Sequence, residues 1–319
     1  MIDLTIPQWL VNYYYSVGVV SLFINSLTIY LIIYRSDKID SFRYYILVFQ
    51  VNCAITDVHV TILMQPLPLH PMLCGHYKGL IGSNFNVFAY YQVAFSITSI
   101  VTQVEALVYC FHRKHQTIAK VMDGRIYPKS FDYFMHVVST GATVFTFYAL
   151  VKAGMTREEQ LDYVKTNYPE IFGEFITLTN VALFTLNDWI ILICINSLIG
   201  GLVSGFAFTS TTLSLLKMLR NMRKKVSAYN YQRHKAAVHS LVAQFVASSV
   251  MLTPPFVFMV LSTGGHANLY IQLVLTVVSL RSMINAIVLI VTTAPYRKFV
   301  FRIKPILSSV VVSSVVNSL

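Results

Sequence analysis

Charged side chains are scarce in this sequence. Asp, Glu, Lys and Arg together make up 12% of its 319 residues, whereas about 25% is usual for a soluble globular domain. Acidic residues are the rarer kind, 13 against 24 Lys and Arg, which leaves a formal net charge of +11. This charge is not typical of a nucleic-acid-binding protein, because it lies in short segments between apolar runs and not on one soluble face.

Motifs of catalysis and metal binding are also missing. The sequence has no His-Glu-x-x-His zinc motif, and the glycine-rich stretch at residues 200–205 lacks the Gly-x-Ser-x-Gly spacing of a nucleophile elbow. Of the four cysteines, Cys53, Cys110 and Cys194 lie in or at the end of apolar runs, and only Cys74 lies outside them. We therefore expect no enzyme, no metal or other cofactor, and no framework of disulfides.

Apolar residues are abundant where charged residues are few. Hydrophobic residues account for 55% of the chain, and seven stretches hold the roughly 20 mostly apolar residues that cross a ~30 Å hydrocarbon core. They predict an all-α bundle of seven transmembrane helices in one domain, residues 1–319, with residues 295–319 as a short cytoplasmic tail. The predicted helices are Leu10–Tyr34, Tyr44–Met64, Ser83–Phe111, Phe131–Val151, Trp189–Leu216, Ala236–Leu261 and Leu269–Thr293.

The distribution of Lys and Arg predicts the orientation of the bundle. Segments on one side of the seven helices hold nineteen of these residues, and segments on the other side hold four. The positive-inside rule then places the N-terminus outside the cell and the C-terminus in the cytoplasm. Apolar residues at 215, 219, 222 and 226 extend the fifth helix into the cytoplasm as an amphipathic stretch. Its cations are expected to contact anionic lipids of the inner leaflet.

Several short motifs are spread over nearly the whole chain. They are Pro7-Gln8-Trp9-Leu10, Tyr13-Tyr14-Tyr15, Phe42-Arg43-Tyr44-Tyr45, Asp57-Val58-His59, Met64-Gln65-Pro66-Leu67-Pro68-Leu69-His70-Pro71, Arg113-Lys114-His115-Gln116, Pro254-Pro255 and Pro295-Tyr296-Arg297-Lys298-Phe299. In these motifs the sequence resembles the nematode serpentine chemoreceptors, and most closely the class I (Sri) family of the Str-like superfamily. The resemblance implies a G-protein-coupled receptor of the plasma membrane of sensory neuron cilia. Such a receptor binds an environmental small molecule and activates a heterotrimeric G protein.

A ligand-gated channel or a transporter is the alternative reading of seven apolar helices. Transporters usually have duplicated halves with paired broken helices. No duplicated half is visible in this sequence, and only the sixth predicted helix carries a clear proline break. Currents from the protein expressed without any G protein would favour this alternative.

The predicted G-protein contact lies where apolar helices meet basic segments. Its residues follow the third and fifth helices and are Arg113, Lys114, His115, Arg223, Lys224 and Lys225. In the broad receptor class an acidic residue precedes the arginine and restrains it, but here His112 precedes Arg113. A restraint on Arg113 would have to come from elsewhere, such as Asp123 or a carbonyl of the sixth helix, or it does not exist.

Two charges lie deep inside predicted helices, Asp57 in the second and Arg281 in the seventh. Each is 14 residues from the inner end of its helix, a depth of about 21 Å at 1.5 Å per residue. An isolated charge there costs at least ~2.5–3.5 kcal/mol. We predict a buried Asp57–Arg281 ion pair that two receptor states hold differently; the alternative is that each charge meets water separately. Pro254 and Pro255 interrupt the sixth helix, which would make its inner half a lever.

On the outer side, a cavity is expected behind a rim and a lid. Pro66, Pro68 and Pro71 forbid helix and predict a stiff extended rim, and the acidic loop at residues 152–188 is the predicted lid. The candidate ligand contacts are His59, Phe88, Tyr91 and Phe95, although lone histidines and aromatic helix faces are more often packed than ligand-binding.

Glu105 is a third ionisable residue inside an apolar run, two turns before Arg113 on the third helix. A carboxyl group in apolar surroundings needs a hydrogen-bond donor close by. We expect it to bond to Asn, Ser or Thr on a neighbouring helix, a structural role that we favour over ligand contact.

Overall fold

The structure is a computed structural model that describes residues 7–36, 42–70, 72–84, 88–122, 124, 126–261 and 267–301. Side chains are described for all of these except residues 83–84, 253–261 and 267–268. Within this part of the chain, seven helices are long and apolar enough to cross a membrane. The predicted seven-helix bundle is therefore confirmed.

The membrane helices follow one another along the chain. They are α1 (Gln8–Arg35), α2 (Phe42–Val58, continued by a π-helical turn His59–Met64), α4 (Ala89–Val121), α5 (Lys129–Ala153), α8 (Asp188–Met222), α9 (Ala228–Leu261) and the pair α10 (Ala267–Ser279) and α11 (Arg281–Thr292). The shorter helices are α3 (Leu80–Asn84), α6 (Arg157–Asn167), α7 (Phe172–Phe175) and α12 (Ala294–Val300).

The third membrane helix differs from its predicted limits at both ends. Helix α4 begins at Ala89 and continues to Val121, ten residues beyond the predicted end at Phe111. Its last turns bury Ile118 and Ala119 completely or nearly so, because an apolar face continues past the basic residues. Arg113 therefore lies inside a helix that packs on its neighbours, and not at an exit into water.

The seventh membrane helix is broken at Leu280, between α10 and α11. A break leaves carbonyl groups without their helical donors. Here the carbonyl of Thr276 accepts hydrogen bonds from the hydroxyls of Tyr13 and Ser279, at 2.8 Å each. These side chains replace the missing backbone donors, so that the break is stable inside the bundle and Arg281 begins the second half-helix.

The predicted extension of the fifth helix is confirmed. Helix α8 runs 35 residues to Met222, and Leu215, Leu219 and Met222 are all buried against the rest of the bundle. The cations between and after these residues are exposed. An amphipathic helix of this kind keeps its apolar stripe on the core and its charges in water.

A small sheet covers one end of the bundle, which the sequence did not predict. Strand β1 (Pro66–Pro68) pairs with β2 (Leu73–Tyr77), and β2 pairs with β3 (Val181–Phe184), all antiparallel. Because proline has no N–H to donate, it fits an edge strand such as β1. The predicted extended rim is confirmed at Pro66 and Pro68, where it forms one edge of a sheet; Pro71 lies outside the described residues.

The predicted lid folds as helices α6 and α7 and strand β3. Its apolar side chains form a small core with the underside of the sheet: Leu69, Met72, Cys74, Val164, Ile171, Phe175, Val181 and Leu183. We call the end of the bundle that carries the sheet the capped end. The opposite end, which holds Arg113 and the end of α8, is the basic end.

Close helix packing joins the cap to the bundle. Gly18 of α1 lies against the π-helical turn that precedes β1, and a Cβ atom there would come within 2.6 Å of the Thr61 hydroxyl oxygen. Gln65 then takes a left-handed conformation with φ 49°, and its N–H bonds to the carbonyl of Val60 at 3.0 Å. This tight turn directs the chain from the membrane helix into β1.

Candidate functional site

A cavity of about 500 Å³ opens at the basic end of the bundle. Its walls come from α2, α4, α9, α11 and α12, so it lies at the centre of the helical bundle. The side chains that line it include Phe42, Arg43, Lys114, Tyr229, Arg233, Ala237, Leu289, Tyr296 and Lys298. Several of the described lining residues are cationic and none of them is acidic.

Lys114 forms part of the inner wall of this cavity. Its side chain is only 1% exposed, and its ammonium nitrogen lies 4.7 Å from the centre of the Phe42 ring. A cation over an aromatic face is stabilised by the ring quadrupole. The arrangement places a positive charge in the wall of the cavity.

Helix α12 closes one side of the cavity and is fastened to α1. The hydroxyls of Tyr296 and Ser36 form a hydrogen bond, and the Arg35 guanidinium lies 4.5 Å from the centre of the Phe299 ring. Helix α12 follows α11 directly and begins the predicted tail. Residues 302–319 of the predicted tail lie outside the described part of the chain.

Arg113 is restrained by Asp132, which lies in the first turn of α5. One carboxylate oxygen of Asp132 lies 2.9 Å from Nη1 of Arg113, and the other lies 2.7 Å from Nε2 of His112. The acidic partner absent from the position before Arg113 is thus supplied by the next helix. Asp123, one of the two expected sources, lies outside the described residues, and the restraint seen in the structure comes from Asp132.

The other predicted G-protein contacts occupy different places. Lys114 lines the cavity, but His115 is buried and its Nε2 lies 2.9 Å from the Ser214 hydroxyl of α8. Helix α4 continues past this point and packs on its neighbours, so His115 does not face water; its predicted role as a G-protein contact stays a prediction. The exposed residues Arg223, Lys224 and Lys225 follow the end of α8, outside the cavity lining.

Asp57 and Arg281 are both buried, but they do not form the predicted ion pair. Asp57 accepts hydrogen bonds from the Ser21 hydroxyl and from Asn25 of α1. Arg281 donates instead to the amide oxygen of Gln103. Among the described residues, both ion pairs closer than 4.0 Å involve Asp132. The direct pair is absent because neutral polar side chains satisfy each charge.

These two sets of hydrogen bonds still belong to one buried polar layer. Gln103 donates to the Thr56 hydroxyl at 2.5 Å, and Thr56 is the residue before Asp57 on α2. The layer therefore connects α1, α2, α4 and α11. Helix α9 includes Pro254 and Pro255 within its bounds, but their side chains lie outside the described residues, and the lever remains a prediction.

Glu105 behaves as predicted. Its carboxylate accepts hydrogen bonds from the hydroxyls of Ser139 and Thr143 on α5, at 2.8 Å each. These two donors lie one turn apart and face the same oxygen. The contact ties α4 to α5 inside the membrane region, and this structural role accounts for a charged residue in an apolar helix.

A second cavity, of about 330 Å³, lies at the capped end between the lid and the start of α4. Phe88 lines it, together with Tyr90, Arg157, Gln160 and Asn180. Of the four predicted ligand contacts, only Phe88 reaches this cavity. Tyr90, Arg157, Gln160 and Asn180 were missed by sequence reasoning.

The remaining ligand candidates pack elsewhere. The Nε2 atom of His59 lies 3.1 Å from the backbone carbonyl of Gln92, and its ring is 4.6 Å from that of Phe95. Tyr91 contacts the ring of Tyr90 at 4.6 Å and is 40% exposed. His59 and Phe95 therefore contact each other rather than the cavity at the capped end.

Arg157 organises the wall of the capped-end cavity. Its Nη2 donates to the carbonyls of Phe175, Ile176 and Leu178 at 2.8–3.2 Å, which fixes the turn between α7 and β3. Burial lowers the pKa of this guanidinium from its ordinary value, although an arginine remains charged. Gln160 completes the wall by donating to the carbonyl of Val181 at 3.1 Å.

A capping box starts the helix that carries these two residues. The Thr156 hydroxyl accepts from the N–H of Glu159, and the Glu159 carboxylate accepts from the N–H of Thr156. The hydrogen bonds from Thr156 lower the pKa of Glu159. The Thr-x-x-Glu spacing is a recognised sign of a helix start, so the sequence contained a signal for α6.

The middle strand of the sheet buries three ionisable side chains, Cys74, His76 and Tyr77. Burial lowers the pKa of His76, and nearby Lys78 adds a smaller effect in the same direction. Burial raises the pKa of the Cys74 thiol to about 12. Cys74 is a free cysteine, as are Cys53, Cys110 and Cys194. The predicted lack of disulfides is confirmed for all four.

Comparisons with known proteins agree with this arrangement. A family model described as the serpentine type 7TM GPCR chemoreceptor Sri matches residues 1–300. Among solved structures, squid rhodopsin has a similar fold, with a TM-score of 0.59 and 11% sequence identity over 94% of this chain and 86% of that chain. At this identity the likeness concerns the fold alone. No curated protein matches the sequence.

Proposed function

The chain belongs to the Sri family of serpentine seven-transmembrane chemoreceptors, and from this we propose how it signals. A small molecule from the environment binds at the capped end, and the basic end then activates a heterotrimeric G protein. The family makes the chain a receptor of the G-protein-coupled type. The ligand, the G protein and the residues that meet them are our proposal.

The cavity at the basic end is the observation that carries this proposal. It is open to the side of the bundle that the positive-inside rule assigns to the cytoplasm, and Lys114, Arg43 and Arg233 are among its lining residues. The C-terminal end of a partner helix has a partial negative charge and free carbonyl groups. Such an end complements a cationic cavity of this size, and a Gα subunit would supply it.

The pair formed by Arg113 and Asp132 gives the cavity a means of regulation. Arg113 precedes Lys114 on α4, so a change in its position alters the wall against which the partner rests. While Asp132 holds Arg113, we propose that the receptor is inactive. Ligand binding would favour the state in which this contact is broken, since a ligand shifts an equilibrium only by its differential affinity for the two states.

The capped end supplies a place for the ligand. The cavity beside Phe88 has an aromatic wall and the polar side chains of Gln160 and Asn180, the mixture that small-molecule sites usually show. We place the ligand there rather than against His59. The receptor would act in the plasma membrane, by family analogy in sensory cilia, with Arg223, Lys224 and Lys225 at the anionic inner leaflet.

Nucleotide exchange tests this function directly. The purified receptor is reconstituted in lipid nanodiscs, and GTP uptake is measured with heterotrimers of each Gα class. Ala237→Trp fills the basic-end cavity and is expected to lower exchange at least tenfold. Val144→Trp, on the exposed face of α5, is the matched control and should leave exchange unchanged.

A library of small molecules then identifies the ligand, with cytosolic calcium as the readout in cells that express the receptor and a G protein. Responses should disappear with Ala237→Trp. If ligand-evoked currents persist in membranes that contain no G protein, the chain is a channel and the proposal is wrong.

A further inference from the structure

A groove runs along the outer surface of the bundle between α8 and α9, with a volume of about 610 Å³. Thr212 and Leu216 of α8 form one wall. The other wall is an almost wholly apolar stripe of α9: His239, Val242, Ala243, Val246, Ala247, Val250 and Met251. Val246 and Val250 are 51% and 55% exposed, so the groove faces the surrounding membrane.

Cationic side chains lie at only one end of this groove. Arg220 follows Leu216 by one helical turn on α8, and Lys235 precedes His239 by one turn on α9. Residues four apart lie on the same face of a helix, so both cations continue the walls of the groove toward the basic end. Arg220 is exposed and Lys235 is half-buried.

Among the described residues, neither cation has an acidic side chain within 4.0 Å. Asp188 is the last acidic residue of the sequence, and residues 189–319 contain neither Asp nor Glu. Asp132, at the same end of the bundle, is already bound to Arg113 and His112. Asp37, Asp40 and Asp123 lie outside the described residues. An anionic group from outside the chain can therefore lie against Arg220 and Lys235.

The length of the groove indicates which kind of molecule would bind in it. From His239 to Val250, the wall of α9 spans eleven residues, about 16 Å at 1.5 Å per residue. This is half of a ~30 Å hydrocarbon core, the thickness of one leaflet. A molecule that fits has an apolar chain one leaflet long and a negative group at its end.

We propose that this groove binds one phospholipid with an anionic headgroup. Its acyl chain lies along Ala243, Ala247 and Val250, and its phosphate lies between Arg220 and Lys235, with the His239 imidazole within reach as a donor. This inference gives a discrete site to the lipid contact predicted from the basic segment. It does not depend on the ligand or on G-protein activation.

Native mass spectrometry of the full-length receptor in detergent tests the site. The receptor is titrated with phosphatidylglycerol or with phosphatidylcholine of the same acyl chains. We expect one phosphatidylglycerol to be retained at concentrations at which phosphatidylcholine is not. Arg220→Gln with Lys235→Gln should weaken the retention about 25-fold, since each cation near a membrane surface accounts for about fivefold.

Two further variants separate this site from general charge attraction. Lys120→Gln with Lys129→Gln removes the same charge from exposed positions on α4 and α5 and should leave the retention unchanged. Ala247→Phe fills the groove without changing charge and should abolish it, while thermal unfolding of the purified protein shows that the variant is folded. If Ala247→Phe does not fold, Ala243→Val narrows the groove and is expected to reduce retention.

Three outcomes would overturn the proposal. The first is equal binding of both lipids by the wild type. The second is a loss of binding in the control pair as large as in the pair at the groove. The third is wild-type binding by the groove-filling variants. A receptor dimer that Ala247→Phe dissociates would assign the groove to a second copy of the chain instead.

Discussion

Asp132 holds Arg113 and His112 at the same time, with one carboxylate oxygen on each. The arginine lies near the end of one membrane helix and the acid at the start of the next, so the contact joins α4 and α5 at the basic end. The Arg113 guanidinium also lies 5.1 Å from the centre of the Tyr45 ring of α2. Three helices therefore meet at one cation, next to the cavity in which we place the G protein.

Asp132→Asn is expected to raise basal nucleotide exchange. The side chains of Arg113 and Asp132 are 34% and 23% exposed, and partly exposed ion pairs contribute about 1 kcal/mol or less. If the pair exists only in the inactive state, its loss shifts the equilibrium toward activity by about two- to fivefold. The measurement is GTP uptake by the G protein without any ligand.

Asp162→Asn on α6 is the matched control, since it removes the same charge from the capped end, and it should leave exchange unchanged. Arg113→Gln also removes the pair, but it should lower exchange, alone or together with Asp132→Asn, because Arg113 is itself a predicted G-protein contact. Basal exchange that stays the same in Asp132→Asn would show that the contact does not restrain the receptor.

Much of the bundle could be predicted from hydrophobic runs alone, because a membrane requires a continuous apolar length whatever the neighbouring helices do. The end of α4 could not be predicted in this way. Basic residues usually mark the water boundary, but Lys114 is stabilised inside the bundle by the Phe42 ring, a contact between residues 72 positions apart. Such pairs depend on tertiary packing and leave no periodic signal.

Asp132 illustrates a site residue that the sequence contained but did not reveal. It and Asp123 are the two acidic residues between Glu105 and Glu158, so the candidates for restraining Arg113 were few. The choice between them depends on how α4 and α5 pack. The sheet was missed for a similar reason, because the four residues of β3 are too short to be distinguished from a loop.

Gln103→Leu is expected to destabilise the receptor by about 3 kcal/mol. It removes an acceptor from the Arg281 guanidinium, and breaking the partner of a buried charge leaves that charge uncompensated. Gln103→Leu with Arg281→Leu should recover part of the loss, because the charge is then absent. Thermal unfolding of the purified protein in detergent measures both effects.

Gln92→Leu is the matched control for this prediction. Gln92 is also buried on α4, but neither atom of its side-chain amide has a hydrogen-bond partner among the described residues, so the change should be nearly neutral or stabilising. The charge swap of Asp57→Arg with Arg281→Asp should not restore stability, because the two charges do not meet. If the swap does restore stability, the two charges interact directly and the prediction is wrong.

Cys74 is expected to remain a thiol that reacts slowly. Only the thiolate reacts with alkylating agents, and with a pKa of about 12 about one molecule in 10⁴ is ionised at pH 8. Alkylation of Cys74 at pH 8 should therefore be at least a hundredfold slower in the folded receptor than in denaturant. Peptide mass spectrometry follows the reaction, and rapid labelling of the native protein would show that the cap opens.

Acidification is expected to loosen the cap through His76. Burial lowers the pKa of this histidine below its ordinary value near 6.5, so the unfolded cap binds a proton at a pH at which the folded cap does not. Stability rises with pH wherever the unfolded state binds more protons, and the cap therefore loses stability as pH falls from about 6.5 toward the lowered pKa.

Hydrogen exchange of the β2 and β3 amides, corrected for intrinsic rates, should speed up between pH 7.5 and 5.5 more than exchange in α4. His76→Gln should remove this difference and His70→Gln, outside the sheet, should not; equal pH dependence in His76→Gln and wild type would assign the effect to another group.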